Sequence, residues 1–179
     1  NPRVFIDRLA KKMPANVTVV ADVGQNQIWT CTEYKFRKEG RLLTSGGMGT
    51  MGYSVPAAIG AKMADNSRAT VAICGDGAFQ MSFMELATAV QFGVDIKVVV
   101  MTNNRLGMVR ELQTNGYHDR QTAVFLDGSP DFIKLAEAYG IPAMRVYDDD
   151  TMEKGVEMLA EHKGICLVEV VVDKDMPTL

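Results

Sequence analysis

Gly75-Asp76-Gly77 closes the apolar run Ala69 to Cys74, and Asn103-Asn104 closes a second apolar run, Ile96 to Met101. A strand ending in Asp, a following helix and a second strand ending in Asn would bring two oxygen ligands together at the carboxyl edge of a parallel sheet. That edge is where open α/β sheets bind ligands. Magnesium suits the pair: it wants near-octahedral oxygen coordination, uses one or two carboxylates and completes its shell with phosphate oxygens, carbonyls and water. The glycines let the backbone approach a phosphate closely and leave the amides of Gly77 and Ala78 at a helix start, which attracts anions. These residues therefore read as a divided magnesium-diphosphate site; the plainer alternative for Asp76 is a turn cap.

The elements that must position them follow from periodicity. Short β-branched runs at Val17 to Ala21, Leu42 to Thr44, Thr70 to Cys74, Ile96 to Met101, Ala143 to Val146 and Ile165 to Val172 predict six strands. Helices are predicted near Pro2 to Lys12, Asn26 to Phe36, Val55 to Met63, Gln80 to Phe92, Gly107 to Leu112, Pro130 to Tyr139 and Thr151 to His162. Strands alternating with helices imply the α/β class, a three-layer α/β/α arrangement around a mostly parallel six-stranded sheet. Thr114 to Gly128 has no clear period and is the best candidate for a mobile lid.

A chain of 179 residues with 47% hydrophobic residues suits one globular domain, residues 1–179. Because it opens on Asn1 and enters a helical pattern at once, with no targeting segment, it is expected to be a fragment of a larger enzyme. Nineteen basic residues against 22 acidic ones give a net charge of −3, which argues against a nucleic-acid partner. No apolar run approaches the roughly 18 residues of a membrane helix, so no membrane association is expected. Cys31, Cys74 and Cys166 are scattered, as in a reducing cytoplasm, and Cys74 reads as a small buried apolar residue. Two histidines, His118 and His162, are too few and too far apart for a metal centre.

Gly-Asp-Gly followed downstream by Asn-Asn resembles the signature of thiamine-diphosphate enzymes. Asp22-Val23-Gly24-Gln25-Asn26-Gln27, Thr44 to Tyr53, Pro56 to Ala61 and Leu106-Gly107-Met108-Val109 are each similar, in the same order, to segments of the acetolactate synthase large subunit. The resemblance covers essentially the whole chain and implies that enzyme's C-terminal, diphosphate-binding domain, with thiamine diphosphate and Mg2+ as cofactors. It implies Asp76 as the carboxylate ligand. Anchoring on Leu106-Gly107 places Asn103 at the amide ligand and Arg105 at the residue lending its carbonyl; the other register would use Asn104 and Leu106. It further implies Gly24, Gln25 and Asn26, facing Gly75, Gly77 and Ala78, as diphosphate contacts made largely by backbone amides. Gly49 would accept the 4'-amino group through its carbonyl and Met51 would hold the cofactor bent, these two being the catalytic positions. Met48, Leu106, Gly107 and Met108 would line the same pocket.

The implied reaction decarboxylates pyruvate and adds the resulting enamine to a second 2-keto acid, as in branched-chain amino-acid biosynthesis. Pyruvate oxidase, glyoxylate carboligase and 2-keto acid decarboxylases share the metal-diphosphate pattern and remain alternatives. A non-catalytic nucleotide-binding module fits less well, since neither a Gly-x-Gly-x-x-Gly helix opening nor a Walker-type Gly-Lys-Ser/Thr is present. The resemblance also implies a homodimer or tetramer and FAD held by a middle domain of the intact enzyme, and leaves open whether a regulatory small subunit attends it. The activating glutamate would come from an amino-terminal domain, so this chain alone is expected to be inactive. Leu112 stands where biosynthetic members carry Trp, which puts preference for a larger second keto acid in doubt. Arg110, Glu111 and His118 read as solvated surface, and Trp29 as a packing residue.

Overall fold

Successive residues of a strand point to opposite faces, and here each face of one sheet meets its own apolar layer. The computed structural model describes residues 1–179 and contains strands β1 (Thr18–Ala21), β2 (Arg41–Thr44), β3 (Thr70–Gly75), β4 (Lys97–Thr102), β5 (Ala143–Val146) and β6 (Cys166–Val171). They form a single sheet in the order β2-β1-β3-β4-β6-β5, with every pair parallel. The helices are α1 (Pro2–Lys12), α2 (Gln25–Glu33), α3 (Ser54–Ala64), α4 (Asp76–Gln80), α5 (Leu86–Gln91), α6 (Gly107–Gly116), α7 (Phe132–Ala138) and α8 (Asp149–Glu161).

Val19, Val71, Ile73, Val99 and Val168 point into a layer completed by Phe5, Leu9, Trp29, Val156 and Leu159, so α1, α2 and α8 cover one face. Their neighbours Val20, Ala72, Val98, Val100 and Leu167 point the other way, onto Val55, Ala58, Leu86, Phe132 and Ala136 of α3, α5 and α7. The three-layer α/β/α fold is thus the one the periodicity predicts. From β1 the chain crosses outward to β2, whereas from β3 it proceeds in the opposite direction to β4. The strand order therefore reverses between β1 and β3, and a crevice opens outside their carboxyl ends. The loops after β1, β3 and β4 all arrive there.

Two expected helices differ from the structure. The single helix predicted over Gln80 to Phe92 is instead α4, a 3-10 turn at Phe83–Glu85, and α5. Ser82, at φ −143° and ψ 6°, breaks it, and α4 begins directly on Asp76 instead of four residues later. Second, α6 runs to Gly116, past Leu112, because Gln113 is held by Thr122, whose N–H donates to Oε1 at 2.9 Å and whose carbonyl accepts from Nε2 at 3.1 Å. The segment expected to be a lid, Thr114 to Gly128, meets the β4–α6 loop near its far end. Leu106 N–H donates to Val124 O and Leu126 N–H to Asn104 O, both at 2.9 Å, and Val124 is buried.

Helix α8 lies directly on the sheet at Gly155, where a Cβ would come within 2.7 Å of Val146 Cγ2 and 3.2 Å of Val168 Cγ1. In an ordinary helix interior Gly→Ala stabilises by about 0.5–1 kcal/mol. Gly155→Ala is expected to reverse that sign and destabilise by about 1–2 kcal/mol through overpacking, read as a lower denaturation midpoint with unchanged slope.

Candidate functional site

A cavity of about 240 Å³ sits at the reversal point, walled by residues from the loops after β1, β3 and β4 together with Met51. Three helices, α2, α4 and α6, start on its wall, and their N-cap residues Gly24, Gly75 and Leu106 make no side-chain cap hydrogen bond. By contrast α1, α7 and α8, which open elsewhere, are capped by the side chains of Asn1, Asp131 and Asp148. The first N–H groups of a helix have no intrahelical acceptor. Apart from Gly77 N–H, which Asp76 accepts, and Gln27 N–H, which returns to Gly24 O, the first donors and the positive ends of three helix dipoles are turned toward one space, which favours an anion.

Asp76 lies at the centre of this arrangement and is 1% exposed. Its Oδ1 accepts from Gly77 N–H at 2.8 Å, and its Oδ2 accepts from Asn103 N–H at 3.2 Å and Asn104 N–H at 2.6 Å. One carboxylate so ties the end of β3 to the end of β4. Burial pushes its pKa up to about 6, against the lowering effect of these amides.

Gln25, 5% exposed, reaches across to β4: Asn103 Nδ2 donates to its Oε1 at 3.1 Å, and Asn103 Oδ1 accepts from Arg105 N–H at 3.1 Å. Two glycines make room. A Cβ on Gly107 would stand 1.8 Å from Gln25 Oε1, and one on Gly77 would stand 2.8 Å from Leu106 Cδ2 and 3.4 Å from Met51 Cε. Asn26 is 3% exposed; its Nδ2 donates to Val23 O at 3.3 Å, but its Oδ1 has no partner.

Of the residues singled out from the sequence, Gly24, Gln25, Asn26, Met51, Gly75, Asp76, Gly77, Ala78, Asn103, Arg105, Leu106, Gly107 and Met108 all line the cavity. Met48 and Gly49 do not: Met48 is 89% exposed, and Gly49, at φ +62°, lies on an exposed turn. Asn104 adopts φ +54°, a left-handed conformation that Asn tolerates, and its side chain is exposed outside the cavity while its N–H serves Asp76. Both asparagines thus give a backbone N–H to Asp76, but only Asn103 lines the cavity and extends its side chain to Gln25.

Asp22 has a role that the motif alone does not single out. It is fully buried; its Oδ1 accepts from Val23 N–H at 2.8 Å and Gly52 N–H at 3.0 Å, and its Oδ2 from Ser54 N–H at 2.7 Å. It pins the turn carrying Met51 and starts α3. An Asp immediately after an apolar strand is the available signal, but its partners lie some 30 residues on in the chain. Val23 and Val109, which lie within the matched segments without an assigned role, also line the cavity, as do Trp29 and Met101, to which no motif points.

The solvated-surface expectation holds for the exposed His118 but fails for its two companions. Arg110 is 8% exposed, and Glu111 is half-buried against Thr178. Leu112 is exposed and outside the cavity wall. Trp29 is buried, as a packing residue should be, with its indole N–H donating to Pro177 O at 3.2 Å. Cys74 is fully buried in β3, and burial raises its thiol pKa well above the ordinary range.

Residues 22–170 match the family described as thiamine pyrophosphate enzyme, C-terminal TPP binding domain. The chain is 42% identical over 161 residues to the mitochondrial acetolactate synthase catalytic subunit of Aspergillus candidus, covering 90% of this chain and 23% of that protein. It is 39% identical over 173 residues to the acetolactate synthase large subunit of Lactococcus lactis, covering 97% of this chain and 30% of that protein. Identity to the acetolactate synthase isozyme 2 large subunit of Escherichia coli is 34% over 171 residues, or 96% and 31% of the two chains. The chain thus spans less than a third of the length of these curated relatives.

Two outcomes follow from the geometry. Asp76 has a folded pKa of about 6, above its ordinary 3.8, so the native state holds its proton more tightly than the unfolded chain does. Its contribution to stability is present in full below about pH 3.8 and is lost as pH rises through about 6. Asp76→Asn should flatten the stability-pH profile in that window, where the native carboxyl accounts for roughly 3 kcal/mol. Gly107→Ala should expel Gln25 Oε1 from its place, seen as a shifted Gln25 side-chain amide resonance in a chain that still folds.

Proposed function

The chain belongs to the thiamine pyrophosphate enzyme family, and from that premise we propose that it is the cofactor-binding domain of an acetolactate synthase-like carboligase. The observation that carries the reading is the convergence of three uncapped helix starts on one buried carboxylate, since that combination suits a metal-bound diphosphate. The residues present fit the group. Gly77 leaves a gap that a Cβ would fill, and Asn26 offers an amide with one end unpartnered although buried.

On this reading the backbone amides of Gly24, Gln25, Asn26, Gly77 and Ala78 hold the diphosphate, with Gly75 giving close approach. Asp76, the Asn103 side-chain oxygen and the Arg105 carbonyl hold Mg2+. A single carboxylate with an amide and a carbonyl is the neutral-leaning oxygen set this cation accepts, its shell being completed by phosphate and water. Arg105 is suited to lend only its carbonyl, because its guanidinium is turned to Asp127 at 2.7 Å and stacks 4.7 Å above Phe125. Met51, held by Asp22 through Gly52, acts as the prop beneath the bend of the cofactor, with Met108, Leu106 and Gly107 as apolar wall. When bound, thiamine diphosphate supplies the electron sink for decarboxylating a 2-keto acid and the nucleophile that joins the remainder to a second.

Pyruvate as first substrate and a second 2-keto acid as acceptor are proposed on the likeness to acetolactate synthases. The rest of the site would come from another domain or subunit of a dimer or tetramer, with FAD and any regulatory subunit bound by parts of the intact enzyme outside this domain. Met48 and Gly49, exposed beside the cavity-lining Met51, are placed to meet that second half, as are the exposed Met81 and Met84. The domain is accordingly proposed to bind cofactor but not to turn over alone. No helix is long and apolar enough to cross a membrane, and a cytoplasmic setting is proposed from the three free cysteines.

Titration calorimetry of thiamine diphosphate into the protein tests the reading. Heat should depend on Mg2+ and be abolished by Asp76→Ala; heat indifferent to both would sink it. Because a proton on Asp76 competes with the cation, affinity should fall about tenfold for each pH step below about 6 and level off above it.

A further inference from the structure

The Glu111 carboxylate can only accept hydrogen bonds, and two converge on it. Thr178 N–H donates to Oε1 at 2.7 Å, and the Thr178 hydroxyl donates to Oε2. With its one proton committed to Glu111, that hydroxyl can meet Gln25 only as an acceptor, and Gln25 Nε2 donates to it at 3.1 Å. The Met176 carbonyl, also an acceptor, takes the same Nε2 at 2.9 Å. The NH2 end of Gln25 is therefore turned toward the segment after β6, and its oxygen toward the cavity, where Asn103 Nδ2 donates to it at 3.1 Å. Asn103 is thereby left with Oδ1 on its other side, accepting from Arg105 N–H at 3.1 Å and keeping a second lone pair free. The two ends of an amide are nearly the same shape, so the hydrogen-bond network and not packing decides which end faces where.

We propose that Glu111 is a positioning residue: by holding the Thr178 hydroxyl as an acceptor for Gln25 it reinforces, beside the Met176 carbonyl and the Arg105 N–H, the polarity of the Gln25 and Asn103 amides, so that Asn103 turns an oxygen, and not an NH2 group, toward the divalent cation. The inference rests on the reading of Asp76 and Asn103 as Mg2+ ligands and adds what orients the second of them. Glu111 stands two residues or more from every cavity-lining residue of α6 and touches the site only through Thr178 and Gln25. A second clamp on the same segment, Trp29 Nε1 donating to Pro177 O at 3.2 Å, gives the relay a fixed base that does not itself set amide polarity.

The test uses the full-length protein and the variants Glu111→Gln, whose amide can donate as well as accept, and Thr178→Val, which cuts the relay. In the unliganded protein, hydrogen exchange of the Asn103 and Gln25 side-chain amides should quicken about tenfold in both variants. With thiamine diphosphate present, Mg2+ affinity should fall about tenfold, as when an outer-shell partner of a metal ligand is lost. Repeating Glu111→Gln in an Asn103→Asp background separates positioning from mere stability, because a carboxylate offers oxygen at either end. There the loss should shrink to about twofold or less. Unchanged exchange and affinity in Glu111→Gln would overturn the proposal, and so would an equal loss in the Asn103→Asp background. Absence of any Mg2+-dependent binding by the unaltered protein would instead sink the functional reading and the cation role with it, while the exchange rates still show whether the relay exists.

Discussion

A buried carboxylate that serves two strands at once is the constraint on which this site depends. Asp76 takes one N–H from its own helix start and two from the end of β4. Those contacts fix how far β3 and β4 project beyond the sheet, and therefore where Asn103 stands. Its charge is disfavoured by burial, as the raised pKa records. In a closed core such a group would be a liability. At the mouth of a parallel sheet that cost is offset by three amides, and on the proposed function the same carboxylate is the one that holds the cation.

The surroundings of Asp76 follow from where helices begin. A helix start needs something to accept its first N–H groups, and the chain meets this in two ways. Away from the cavity three helices use side chains, namely Asn1 for α1, the Asp131 cap of α7 and the reciprocal Asp148–Thr151 box of α8, while the N-cap residues of α3 and α5 give none. Around the cavity no N-cap side chain serves, Gly24, Gly75 and Leu106 standing at the caps, and only Asp76 takes one N–H within its own first turn. Glycine at Gly107 and Gly77 keeps the walls open where any Cβ would collide with Gln25 or Leu106. Asp22, meanwhile, does for the Met51 turn what Asp76 does for β4, gathering backbone amides from a distant segment onto one buried carboxylate. The site is thus built by carboxylates that organise backbone and by helices whose starts are left free.

Much of this is legible in the order of the residues. Alternation of β-branched runs with helical stretches is local, and it predicts six strands and their ends to within a residue or two. Gly-Asp-Gly and Asn-Asn stand out because they sit where apolar runs stop. The helix predicted over Gln80 to Phe92 fails because its residues are adequate helix formers, and the break at Ser82 reflects packing of the 3-10 turn against α3 and α5, which leaves no trace in propensity. The surface reading of Arg110 and Glu111 fails for a related reason. Charged residues on an amphipathic helix look solvated until something distant covers them, and what covers them is the segment carrying Asp175 and Thr178.

What the sequence by itself determined, then, was the fold class, the family, and the residue types at the ends of three strands, because these depend on periodicity and on short contiguous motifs. Only the tertiary structure decided which Asn side chain enters the cavity, that Met48 and Gly49 stand outside the cavity formed by this chain, and how Gln25 is oriented. Each of those is settled by contacts between residues far apart in the chain: 27 positions from Asp76 to Asn103, 78 from Gln25 to Asn103, 153 from Gln25 to Thr178. A hydrogen bond has direction as well as partners, and direction is passed along such contacts in space, where no local pattern of residues can record it.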